Sequence, residues 1–166
     1  MDKNQRIHVF INFEGVLVPR GAGFPPDSSS DEEGKAYWCW AGQFTKLAQQ
    51  YDASLVLRSS WTLRWPVDEI IGRMPRELME RVEGATEPIA EIQTSGLRRI
   101  ATQYEVVARY VRAKRLKLWC VVDDRAEGWP DAELWRLVCP KPRDGLRDEK
   151  VMQVLASLLE AISKKS

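Results

Sequence analysis

Three short polar clusters interrupt an otherwise apolar pattern: Asn12-Phe13-Glu14-Gly15, Ser59-Ser60 and Asp123-Asp124. Each follows directly upon an apolar run. Carboxylates offer the hard oxygen ligands that suit Mg2+, and a hydroxyl with exposed backbone N–H groups after a strand can hold a phosphoryl group. Any one cluster reads equally well as a turn or helix cap. Their order and shared placement are what point to a single chemical site.

The elements around them must bring the clusters together. Residues 7–13 (IHVFINF), 54–58 (SLVLR) and 118–122 (LWCVV) are apolar nearly throughout, as strands buried on both faces of a parallel sheet are. Residues 134–139 are expected to add a further strand. Between the strands, Phe44, Leu47, Ala48 and Tyr51 recur at helical spacing, as do Val67, Ile70, Ile71, Met74 and Leu78 after Pro66. Ile100, Tyr104, Val107, Ala108 and Val111 mark a long amphipathic helix with Arg109, Arg112 and Lys114 on its other face, and Val151, Leu155, Leu158, Leu159 and Ile162 a terminal one. The stretch from Leu78 to Gly96 is less regular. Residues 19–34, rich in Gly, Pro, Ser and acidic types, read as a surface loop between the first strand and the first helix. Strands alternating with helices imply an α/β fold with a doubly wound, mostly parallel sheet, in which ligands bind beyond the carboxyl ends of the strands.

Length and composition narrow the classes. A chain of 166 residues with 44% hydrophobic and 30% charged residues is expected to be one globular domain over 1–166. With 25 Lys and Arg against 24 acidic residues, no global field draws it to nucleic acid or to a membrane. Cys39, Cys120 and Cys139 are odd in number and, with the single His8, unlike a zinc site in spacing, so reduced thiols in the cytoplasm are expected. Neither a leader-like apolar stretch nor a run of about 20 apolar residues is seen, and no membrane association is expected. Most of the seven Trp should be core, with Trp61 or Trp129 expected to wall the site because each closely follows a cluster.

The sequence INFEGVL, then LVLRSSW, then VVDDR, with a DGL before the last helix, resembles the haloacid-dehalogenase-like (HAD) superfamily. SSW, residues 75–86 (PRELMERVEGAT) and VVDDR together resemble the small HAD domain attached to bacterial RNA-repair proteins, and the likeness covers nearly the whole chain. It implies a Rossmannoid fold without a large cap domain. It also implies a first motif Asp-x-Asp-Gly, whose first Asp attacks phosphorus and whose second is the general acid/base. A hydroxyl after the second strand grips the phosphoryl group, a basic residue neutralises it, and a last acidic pair holds Mg2+.

Mapped by this resemblance, the catalytic positions are Asn12 and Glu14, the phosphate-binding hydroxyls Ser59 and Ser60, and the metal pair Asp123 and Asp124. The basic position falls on Gln103, before Tyr104-Glu105, and Arg99, taken to lie one helical turn earlier, is the substitute. The departures are in the chemistry. A carboxamide at 12 is a poor nucleophile, and Glu14 carries a methylene more than Asp, enough to displace its oxygens by roughly an ångström. The expected function is a phosphatase-fold protein with impaired catalysis that binds a phosphorylated small molecule or a protein partner. The alternative is an active Mg2+-dependent phosphohydrolase acting on a phosphomonoester such as a nucleic-acid end, with nucleic acid itself supported by the family likeness alone.

Overall fold

The computed structural model describes residues 5–87, 92–94 and 96–166, those at 92–94 as backbone. In chain order they form β1 (His8–Ile11), α1 (Glu32–Tyr37), α2 (Ala41–Gln50), β2 (Ser54–Leu57), α3 (Val67–Gly72), α4 (Arg76–Met79), β3 (Val82–Ala85) and the hairpin β4 (Ile92–Thr94) and β5 (Leu97–Arg99). Then follow α5 (Gln103–Lys114), β6 (Trp119–Val122), β7 (Leu137–Val138) and α6 (Glu149–Ser163). Five strands make one sheet in the order β3-β2-β1-β6-β7, every pair parallel. This is a Rossmannoid α/β arrangement, as expected. Among the described residues the small β4–β5 hairpin is the only second sheet, and no large cap stands over the first.

The apolar runs become central strands because both faces of the sheet are covered. Val9, Ile11, Leu55, Leu57, Cys120 and Val122 pack on one side with Phe44 of α2 and Leu155 and Leu159 of α6. Phe10, Val56, Trp119 and Val121 pack on the other with Val107 of α5. A strand with no wet face cannot alternate polar with apolar residues, and each fully buried aliphatic or aromatic side chain contributes about 1.5–3 kcal/mol. Phe10 adds edge-on contacts to Tyr110 and Trp119, at centroid distances of 5.5 and 6.1 Å.

Several expectations need correction. The 134–139 strand shrinks to Leu137–Val138, because Asp131–Arg136 winds into a 3-10 turn held by the Glu133–Arg136 ion pair at 2.8 Å. The stripe from Val67 to Leu78 breaks into α3 and α4 at Pro75, whose missing N–H and ring forbid an unbroken helix. In the less regular stretch, β3 is an edge strand that was not expected; residues 88–91 and 95 lie outside the described residues. The long helix begins at Gln103 rather than near Ile100. Thr102 caps it, accepting from Glu105 N–H while the Glu105 carboxylate accepts from Thr102 N–H, and two otherwise orphaned donors are thereby satisfied.

The 19–34 stretch forms turns as far as Asp31, which caps α1 through Gly34 N–H. Its side chains are engaged. Phe24 stacks on Trp65 at 4.0 Å, Arg73 donates to Pro25 O at 2.7 Å, and Ser29 Oγ donates to Met74 O at 3.1 Å. Gly145 of the DGL segment has φ +52, and a Cβ there would meet the Trp40 ring at 2.3 Å and Val16 O at 2.6 Å, so only glycine fits. Among the described residues no helix is long and apolar enough to cross a membrane, and the three cysteines are free.

Candidate functional site

The register settles which polar residues meet. Ile11 pairs with Leu57 on one side and Val122 on the other, so the next residue of each strand, Asn12, Arg58 and Asp123, leaves the sheet at one level. Asn12 N–H still donates to Val122 O and Arg58 N–H to Ile11 O, which carries the ladder one step beyond the strands. A cavity of about 710 Å³ opens over this edge. Asn12, Glu14, Arg58, Ser59, Ser60, Gln103 and Asp124 contribute to its wall. Leu63 and Ile100 also line it, and are 63% and 79% exposed.

Asp123 lies beneath the cavity rather than on its wall, at 1% relative exposure. Arg58 Nε sits 2.8 Å from its Oδ2, a contact that is ionic rather than directional, since Nε has no acceptor in line. Arg125 N–H donates to Oδ1 at 3.1 Å. Gln103, the first residue of α5, completes the shell: with its amide nitrogen turned to the carboxylate, Nε2 lies 3.0 and 2.5 Å from the two oxygens. Burial pushes the carboxyl up to about 7, opposed by the Arg58 charge and reinforced by the neighbouring Asp124.

Asp124 is held from two sides. Arg20, reaching in from the turns after β1, forms an ion pair with Oδ2, and Asn12 Nδ2 donates to Oδ1 at 3.1 Å. The same Nδ2 donates to Glu14 O at 3.2 Å, so the Asn12 amide nitrogen, not its oxygen, is turned to the acidic pair. Gly15 makes this approach feasible: its φ is +78, and a Cβ would lie 2.5 Å from Asp124 Oδ2. Glu14 Oε1 accepts from Gly21 N–H at 3.0 Å, which ties Glu14 to the backbone beside Arg20. Ser59 is buried and its Oγ accepts from Trp61 N–H at 3.2 Å, leaving its hydroxyl proton to donate elsewhere; Ser60 is exposed. The backbone N–H groups of Phe13, Glu14, Ser59 and Ser60 donate to no protein acceptor among the described residues, and such groups can cradle an anion.

Two expectations fail here. Arg99 is not on the helix. It belongs to β5, forms a bidentate pair with Glu105 and does not line the cavity, because the Thr102 cap starts α5 after it. Neither Trp61 nor Trp129 walls the site: Trp61 packs on Phe13 at 4.8 Å and Trp129 on Tyr104 at 5.1 Å, where two large rings gain more from burial. Sequence reasoning in turn missed Arg58 and Arg20. Arg58 had a signal, a lone cation closing an apolar strand; Arg20, in an aperiodic loop, had none.

A family model described as the HAD domain in Swiss Army Knife RNA repair proteins matches residues 8–151. The chain belongs to this family. No curated protein and no solved structure matches it. HAD domains typically use Mg2+, yet the side chains of this one do not fit the ion as they stand. Mg2+ requires octahedral oxygen ligands. Here both carboxylates already face guanidinium groups, Asn12 presents nitrogen, and among the described residues no group of three or more His, Cys, Asp or Glu could hold a metal.

Proposed function

We propose that this HAD-like domain binds a phosphorylated ligand at the β2-β1-β6 edge and hydrolyses phosphomonoesters poorly or not at all. One observation carries the reading: Asn12, onto which the resemblance maps the superfamily's nucleophile, has its amide nitrogen hydrogen-bonded to Asp124 and to Glu14 O. A carboxamide so held has no carboxylate oxygen to attack phosphorus and form an acyl-phosphate. What supports phosphate binding is the surviving apparatus, with Ser59, Ser60 and Arg58 on the cavity wall.

The ligand carries its phosphate on a small molecule or on a protein. Exposed Leu63 and Ile100 on the cavity wall and the family's tie to RNA repair proteins support a nucleic-acid end as one member of that class. Free thiols at Cys39 and Cys139, both exposed, accord with a reducing, cytoplasmic setting.

The test is phosphate release from p-nitrophenyl phosphate by the purified chain in millimolar Mg2+, expected at the level of the buffer blank. Loss of a covalent nucleophile costs several orders of magnitude in rate. Robust Mg2+-dependent turnover, abolished by Asp123→Ala, would overturn the reading in favour of an active phosphohydrolase in which Glu14, on the cavity wall, activates water.

A further inference from the structure

We propose that Arg58 and Arg20 take the place of the divalent cation, so that this site receives a phosphate-type anion without metal. The inference rests on the reading above that the ligand is phosphorylated, and adds how its charge is met. Mg2+ would bring two positive charges to offset Asp123 and Asp124. Two guanidinium groups bring the same two, one to each carboxylate. A metal entering between the carboxylates would meet like charge from both arginines at close range, and would have to expel them.

The two cations differ in how firmly they are placed. Arg58 is fixed by the sheet: it is the residue after β2, its side chain is 15% exposed, and Nε rests 2.8 Å from Asp123. Its Nη groups form no hydrogen bond among the described residues, and the residue lines the cavity. The guanidinium therefore has its fork left for a ligand, and a fork is the geometry that grips two phosphate oxygens at once. Arg20 is half exposed and arrives on a loop. That loop is fastened one residue later by Gly21 N–H on Glu14 Oε1, so the position that is general acid/base in active relatives here holds the segment that delivers a cation. Because arginine stays protonated at any physiological pH, the compensation is permanent and does not depend on metal supply.

The experiment titrates inorganic phosphate into the full chain by calorimetry, in EDTA and in millimolar Mg2+, with wild type, Arg58→Gln, Arg20→Gln and the variant that carries both substitutions. Phosphate should bind equally in both buffers. Arg58→Gln should weaken it about tenfold or more, since a charge-assisted bond made in a half-closed cavity is lost, and Arg20→Gln less because that side chain is more exposed. Mg2+ titrated alone should give no binding heat with wild type, and should give it once both arginines are replaced and the carboxylates freed. Thermal unfolding of each variant separates lost binding from lost fold, and the comparison of wild type in the two buffers needs no variant. Phosphate binding that requires Mg2+ would overturn this inference and leave the phosphorylated-ligand reading standing. No phosphate binding in either buffer would overturn both.

Discussion

Replacing Asp123 by Asn removes a carboxyl that burial moves from its ordinary 3.8 to about 7. In the folded chain this group holds its proton more tightly than in the unfolded chain, so its contribution to stability is complete below about pH 4, where both states are protonated. As the pH rises from about 4 to about 7, only the unfolded chain ionises, and stability falls. Above about 7 both states are ionised and the penalty is constant. At about 1.36 kcal/mol per pH unit, the full change is at most about 4 kcal/mol. The Gln103 amide donating to the carboxylate trims that figure. Asn cannot ionise, so its variant escapes the slope; the Arg58 attraction that it forgoes acts only on the ionised carboxylate and is already contained in the wild-type value of about 7. Urea unfolding followed by tryptophan fluorescence, at intervals from about pH 4 to about pH 8, should show the variant gaining on wild type by several kcal/mol as pH rises. A difference that stays flat, or that runs against the variant, would mean that Arg58 and Arg125 N–H outweigh burial, and the account of this site's electrostatics would be wrong. Gln103 gives a second readout: its nitrogen suits the ionised carboxylate and its oxygen the protonated one, so its side-chain amide resonances should shift with the same midpoint.

Gly15→Ala should destabilise the fold by about 1–2 kcal/mol from the positive φ alone, and more from the contact with Asp124, as read by urea midpoint. Thr102→Ala should cost about 1 kcal/mol through loss of the α5 cap, and should weaken phosphate binding less than Arg58→Gln does. Asn12→Asp with Glu14→Asp, Arg58 and Arg20 retained, should raise Mg2+ affinity over wild type in calorimetry yet leave phosphate release at the blank, since the added carboxylate helps a metal while both arginines still hold its ligands. Turnover in that double variant would show that the first motif alone had been limiting.

How much of this was legible depended on burial. The strands β1, β2 and β6 stood out in the sequence because burial on both faces leaves only apolar types along them, and the polar residues that follow could be assigned to one edge from that pattern. Edge strand β3 gave no such signal: Glu83 and Gly84 interrupt it, and a half-covered strand does not need an apolar run. Ile100 sat at helical spacing from Tyr104 and drew the helix start too early, whereas Thr102 and Glu105, a Thr-x-x-Glu pair, held the better signal. That error carried Arg99 into a site it does not reach. Arg20 could not be found from periodicity at all, since its place depends on where the turns after β1 fold back.

Asn12, Arg58 and Asp123 each stand one step past the last residue of a strand, while the strands' own side chains hold the two apolar layers. The apolar layers and the polar edge thus draw on different residues of the same strands. A substitution at position 12 or 14 disturbs the hydrogen bonds to Asp124 and to Gly21 N–H but leaves the two apolar layers untouched. The polar edge can therefore be altered by substitution without touching the side chains that hold the sheet between its layers.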